Sequence, residues 1–231
     1  MSLAVLIPTK ALNDVKQRLA PLLNAEQRRR LFEAMLRDLL QQIGRVDSVN
    51  SVLLIGGDEE IASIATDNGA YWLAERGNDL NAAVTQGVAA LKASGRGQVL
   101  ILHGDLPLAG ADEISQLISS HYQQNKQISL VADNAGQGTN ALLVNTDCAV
   151  EFSYGEGSLQ RHEEQFKDQG IDYQTLGLPG LGFDIDTPND VNQLALILTD
   201  SPRQAPLTWM VIRHYIAPLL IDSSCEQRES A

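Results

Sequence analysis

Two cysteines in 231 residues, Cys148 and Cys225, stand far apart and without metal-ligand spacing. That excludes a disulfide framework and a thiolate metal centre as organising features, and makes a reduced, cytoplasmic setting the expectation. No uninterrupted apolar run reaches the ~18 residues of a membrane span. The N-terminus lacks the charged start and apolar core of a signal peptide. Basic residues are the minority, 17 Lys and Arg against 29 Asp and Glu, for a net charge of -12. Such a surface argues against general binding to nucleic acid or anionic membrane. There is no Gly-x-x-x-x-Gly-Lys-Ser/Thr phosphate loop. No Ser/His/Asp or Cys/His arrangement marks a nucleophile, so no covalent intermediate is expected. Internal repeats and low-complexity linkers are also missing.

What is present is an ordinary globular composition, 44% hydrophobic and 20% charged, on a chain long enough for one α/β domain with a short appendage. Short apolar runs at 3–7, 52–55, 71–73 and 99–102 read as buried strands. Helical patterns alternate with them. Asn24 with Gln27 three residues on predicts a capped helix through Phe32, Leu36, Leu39 and Ile43, ended by Gly44. Further helices are expected after Gly57, over 78–94 and through Ile114, Leu117 and Ile118. This βαβαβ rhythm predicts a mainly parallel sheet with helices on both faces. Beyond it, 128–131 and 141–144 read as strands, Ser158 as the cap of a helix through Leu159, His162 and Phe166, and 188–199 as the last core helix. Residues 1–200 form the expected domain and 201–231 an appendage, with 207–221 apolar enough to dock on the body or a partner.

The chemistry concentrates at loops. The strand at 99–102 stops at Gly104-Asp105, and Pro107 prevents further pairing. In an open α/β sheet, ligands bind at the carboxyl ends of strands. A carboxylate there can hold a hard cation against a phosphate-bearing substrate. Asp184 and Asp186, two apart in a segment that reads as extended, point the same way and can join Asp105 around magnesium. Asp186 or Thr187 reads equally as the cap of the helix that starts at Pro188. Residues 1–37 carry seven basic side chains against three acidic ones, a local positive charge suited to a small anion. Among them Lys10, Lys16 and Arg18 follow the first strand and can hold a triphosphate and offset charge on departing pyrophosphate. Glycines at 136–138 and 155–157 let backbone approach a ligand, and Thr139 and Ser158 add hydroxyl donors. His162, one turn into its helix, reads as an acceptor contact or as a surface position.

These pieces resemble the 2-phospho-L-lactate guanylyltransferase family of coenzyme F-420 biosynthesis. The matching stretches are Ile7-Pro8-Thr9-Lys10, Lys16-Gln17-Arg18-Leu19-Ala20, Leu80-Asn81-Ala82-Ala83, Asp105-Leu106-Pro107, Gly138-Thr139-Asn140-Ala141-Leu142, Tyr154-Gly155-Glu156-Gly157-Ser158 with His162, and Asp184-Ile185-Asp186-Thr187-Pro188. They run in the family's order over residues 3 to 198. The resemblance implies a nucleotide-diphospho-sugar-transferase-like fold and a reaction that needs GTP and Mg2+. It joins GMP to 2-phospho-L-lactate, phosphoenolpyruvate or 3-phospho-D-glycerate and releases pyrophosphate. It further implies Asp105, Asp184 and Asp186 as metal ligands, and Lys10, Lys16 and Arg18 on the triphosphate. Thr139, Gly155 and Ser158 would take the acceptor, and Asn81 would touch the nucleotide. His103-Gly104 departs from the small residue and Ala that more often precede the family's aspartate.

Two other readings compete. Another nucleotidyl or sugar-nucleotide transferase could share the fold, but the Gly-x-Gly-x-x-Arg loop of sugar-nucleotide synthases is replaced here by residues 10–18. A non-catalytic nucleotide-binding module would not need three aspartates. The expected partners are GTP and a small phosphorylated acid, with no nucleic acid and no membrane span; a homodimer is compatible with the sequence.

Overall fold

The computed structural model describes residues 2–216 except Asn78. Seven strands form one sheet in the order β3-β2-β1-β4-β6-β5-β7. The strands are β1 (Leu3–Thr9), β2 (Val49–Gly56), β3 (Tyr71–Leu73), β4 (Gln98–Leu102), β5 (Ile128–Ala132), β6 (Thr139–Asn145) and β7 (Tyr173–Leu176). All neighbours run parallel except β6, which is antiparallel to both β4 and β5. The helices are α1 (Ala25–Ile43), α2 (Glu59–Asp67), α3 (Leu80–Ala93), α4 (Ala111–Gln123), α5 (Ser158–Asp168), α6 (Pro188–Asp200) and α7 (Pro206–Val211). The expected α/β class with helices on both faces is what forms.

The alternation of side chains along β1 builds both cores at once. Leu3, Val5 and Ile7 pack with α1, α2, α4 and α6, while Ala4 and Leu6 pack with α3 and α5. Each such Leu or Ile contributes ~1.5–3 kcal/mol on burial. Helix α3 sits so close to β1 that a Cβ on Gly87 would lie 2.6 Å from Leu6 Cδ1. Helix α1 starts where the capping box placed it: Asn24 Oδ1 accepts the Gln27 N–H, and the Gln27 side chain accepts the Asn24 N–H. Thr187 and Asp190 form a second capping box at α6. That role frees Asp186.

Three local expectations change. Ser158 is the first residue of α5, and Gly157, with φ 70°, is the N-cap. The segment around Asp184 and Asp186 pairs with no strand. Strand β7 went unread because its sequence, Tyr-Gln-Thr-Leu, belongs to a half-exposed edge. Of the expected appendage, α7 and the π-helical turn Ile212–Ile216 bury Ile212 and Ile216 in the same core as α1. Asp38 of α1 accepts the Leu207 and Thr208 N–H groups at 3.1 and 2.8 Å. Residues 217–231, including part of the apolar 207–221 stretch, lie outside the described residues.

Candidate functional site

Strands β1 and β4 are parallel neighbours, so Thr9-Lys10 and Asp105 leave the sheet at one edge. Because β6 is antiparallel and pairs Ala141 with Leu102, its first residues, Thr139 and Asn140, arrive at that same edge. Two backbone bonds then draw in distant loops. Leu159 N–H donates to Gln137 O at 3.0 Å and brings the start of α5; Asn134 N–H donates to Gly182 O at 2.8 Å and brings the aspartate loop. Together they enclose a cavity of about 850 Å³ lined by Lys10, Lys16, Arg18, Asp105, Thr139, Gly155, Ser158, Asp184 and Asp186. That volume falls at the upper end of the ~300–1,000 Å³ of small-molecule sites.

One wall is ionic. Lys16 has its backbone in the left-handed region at φ 53°, and its ammonium bridges Asp105 and Asp186, the latter at 2.9 Å. Arg18, 79% exposed, reaches Asp186 at 3.4 Å. Burial opposes the charge of Lys16, but Asp105 and Asp186 outweigh it and hold the ammonium's pKa above its ordinary value. Burial likewise opposes the charge of Asp105. The Lys16 ammonium, with His103 adding, wins and keeps that carboxyl below its usual range. Asp184 is pushed the other way, first by burial and then by its neighbours Asp105 and Asp186, although Asn140 Nδ2 donates to it at 3.1 Å. Lys10 lines the cavity from an exposed position.

Hydroxyls and glycine line another part of the cavity. Thr139 and Ser158 are 3% and 2% exposed, and Thr139 N–H donates to Ser158 Oγ at 3.0 Å. Gly155 adopts φ 114°, a region that favours glycine, and opens backbone to the cavity. His162 is fully buried behind Thr139, 3.0 Å from its Oγ1, and is neither a surface residue nor part of the cavity lining. Asn81 also stands back from the lining. Its Oδ1 accepts the Tyr154 N–H at 2.7 Å and its Nδ2 reaches Tyr154 O at 3.4 Å, a clamp on the Gly155 loop. Asn140, Tyr154 and His103 line the cavity as well. Asn140 belongs to the matching stretch 138–142, and on the strand it points to the face opposite Thr139.

Among the described residues, no three His, Cys, Asp or Glu side chains are gathered closely enough to hold a metal ion as they stand. The chemistry of the donor set nevertheless fits a hard cation. Asp105, Asp184 and Asp186 are three of the eight acidic residues that line the cavity, and the Oδ1 of Asp105 is buried with no hydrogen-bond partner. The Lys16 ammonium is the positive charge that now gathers Asp105 and Asp186.

Comparison with known proteins bears on this cavity. A family model described as guanylyl transferase CofC like matches residues 3–205. The phosphoenolpyruvate guanylyltransferase of Sphaerobacter thermophilus is 33% identical over 195 residues, 84% of this chain and 93% of that protein. The protein of the same name from Conexibacter woesei is 33% identical over 197 residues, 84% and 87% of the two chains. In structure, a chain from Desulfovibrio desulfuricans G20 described as a nucleotide-diphospho-sugar transferase superposes with TM-score 0.77 at 17% identity, over 95% of this chain and 97% of that one. At that identity the likeness speaks for the fold.

Proposed function

Because this chain belongs to the CofC-like guanylyl transferase family, we propose that it transfers GMP from GTP to phosphoenolpyruvate and releases pyrophosphate. We assign the reaction to coenzyme F-420 biosynthesis in the cytoplasm. The observation that carries this reading is one cavity lined both by Lys10, Lys16, Arg18 and the three aspartates and by Thr139, Ser158 and Gly155. Its acceptor is chosen from phosphoenolpyruvate, 2-phospho-L-lactate and 3-phospho-D-glycerate by the name the two relatives carry. Residues 1–200 are the nucleotidyltransferase domain, and the segment after them steadies α1.

The acceptor phosphate is already mostly dianionic at pH 7, since its second pKa is ~6. Its oxygen attacks the α-phosphorus of GTP without a general base, so the reaction requires no protein nucleophile. What the protein must supply is in-line positioning and neutralisation of charge between two anions. Asp105, Asp184 and Asp186 are the residues to hold Mg2+, which when bound screens the facing phosphates. Lys10, Lys16 and Arg18 stand on the side where the triphosphate would lie and neutralise pyrophosphate as it leaves. Lys16, tied to two carboxylates here, exchanges them for phosphate oxygens. Thr139, Ser158 and the Gly155 backbone hold the acceptor's phosphate and carboxylate, and Asn81 fixes the loop that carries Gly155.

Incubation with GTP, Mg2+ and each of the three phospho-acids, with pyrophosphate as the readout, tests the assignment. Release is expected to be fastest with phosphoenolpyruvate. A folded protein silent with all three acids would refute the guanylyl-transfer reading, and a preference for another acid would refute the choice of acceptor.

A further inference from the structure

The hydrogen bonds behind the hydroxyl wall run in one direction. Ser153 N–H, which can only donate, points at His162 Nε2 over 3.1 Å. Nε2 is therefore the acceptor of the ring. Burial, with the charge of Arg161 adding, lowers the pKa of His162 to about 4, so the ring is neutral near pH 7. Its one proton sits on Nδ1, and Nδ1–H donates to Thr139 Oγ1 over 3.0 Å. With that lone pair taken, the Thr139 hydroxyl proton has no acceptor among the described protein groups and is left to the cavity. Ser158 repeats the pattern, because its Oγ accepts Thr139 N–H over 3.0 Å and its proton too remains to be given. The ring is held in place by Tyr154, edge-on at 5.1 Å, and by Phe166, stacked at 6.0 Å.

We propose that His162 is a positioning residue: by donating to Thr139 Oγ1 it aims that hydroxyl, beside the Ser158 hydroxyl that Thr139 N–H orients, as a hydrogen-bond donor toward a proton-free oxyanion of the bound acid. This rests on the reading that the cavity takes a small phosphorylated carboxylic acid. His162 touches no substrate. It sets the polarity of one side chain that does, Thr139, and so favours a phosphate or carboxylate oxygen over a group that must itself donate.

Two measurements decide the matter. Nitrogen-15 NMR of the ligand-free protein at pH 7 reads the ring directly, with no dependence on turnover. A neutral His162 protonated at Nδ1 is expected; an Nε2–H ring or an imidazolium overturns the relay. In kinetics, His162→Phe keeps the aromatic stack and loses both bonds, and His162→Gln restores one acceptor and one donor through its amide. Loss of one oriented hydrogen bond should raise the phosphoenolpyruvate KM about tenfold in His162→Phe, with the GTP KM within about twofold and His162→Gln within about threefold of wild type. On a Thr139→Ala background His162→Phe should add nothing, since both act on the same hydroxyl. Equal rises in both KM values, a full additive loss on that background, or folded His162→Gln as impaired as His162→Phe would overturn the proposal. If the wild type turns over no phospho-acid, the functional reading fails by itself, and the NMR result still decides the orientation of the relay.

Discussion

Strand β4 has buried polar groups at both ends, and the two ends treat them differently. At its start, Gln98 Nε2 donates to Asn145 Oδ1 at 2.7 Å, and the Tyr122 hydroxyl donates to Gln98 Oε1. His121 Nδ1 lies 2.9 Å from Ser129 Oγ, which also accepts from Gln174 Nε2 at 2.8 Å. Past its other end, His103 Nε2, Asp105 Oδ1 and Tyr154 Oη are buried without partners. They make up three of the six such side-chain atoms among the described residues. Leaving a buried polar group unpaired costs about 1–3 kcal/mol. A closed network at one end fixes the register of β4, β6 and β5, whereas an open one at the other end is built for groups that arrive from outside. The same strand thus separates a structural polar cluster from the candidate site.

The sharpest way to break that contrast is to neutralise the functional end. Asp105→Asn and Asp186→Asn should each lower kcat/KM about a thousandfold, the scale of losing an electrostatic group that acts on the developing charge. Circular dichroism should show the fold retained. Near-wild-type turnover in either variant would remove that aspartate from the metal role and the contrast with it.

The next effect is in stability against pH. His162, with its pKa held at about 4 by burial and by Arg161, takes up a proton less readily when folded than when unfolded, where its value is 6.5. The unfolded chain therefore binds more protons, and stability rises with pH. This contribution is complete above 6.5 and is lost as pH falls toward 4, about 3 kcal/mol in all. His121, lowered by burial, has the same sign but is common to wild type and His162→Gln. The stability gap between those two proteins, measured by denaturant unfolding from pH 7 to 4, should therefore move by that amount in favour of His162→Gln. A gap independent of pH would mean that folding does not lower the pKa of His162.

How much of either end could be read in the sequence follows the distance over which its signals act. Helix α1 was legible because its capping box spans three residues and its apolar stripe repeats within one turn. Asp105 was legible as a strand-end carboxylate, but its tie to Lys16 joins residues 89 apart in the chain. The Asn140–Asp184 bond spans 44 residues and the Thr139–His162 bond 23. No local pattern encodes such pairings; the rule that ligands bind at strand carboxyl ends brought the Lys16 loop and Asp105 to one edge, and the motif set of the family added Asn140. Ser158 shows the cost of local reasoning. A serine at a helix start reads as a cap, and only the approach of β6 shows its oxygen serving Thr139 instead. The Gln98 cluster left no signal at all, since polar residues in a strand or helix mostly face water.

That silent cluster supplies the converse test. Gln98→Leu leaves Tyr122, Asn145 and His121 short of a partner, and should destabilise the protein by about 2 kcal/mol in denaturant unfolding. Its kcat/KM should stay within about twofold of wild type, because every group it orphans lies at the far end of the strand. Loss of activity beyond the loss of folded protein would show that the two ends are coupled through β4.

The smallest effect discriminates most finely within the functional end itself. Thr139→Ala and Ser158→Ala each delete one hydroxyl from a wall that already has its backbone in place. The loss should be about tenfold in the acceptor KM, or ~1.4 kcal/mol. Ser158 Oγ accepts the Thr139 N–H and Thr139 Oγ1 accepts from His162 Nδ1, so each removal leaves one buried donor unpaired and both variants should lose about 1–3 kcal/mol of stability. In both, the GTP KM should hold steady, because the triphosphate is assigned to Lys10, Lys16 and Arg18. A rise in the GTP KM with the acceptor KM unchanged would exchange the two walls, placing the nucleotide on the hydroxyls and the acid beside the aspartates.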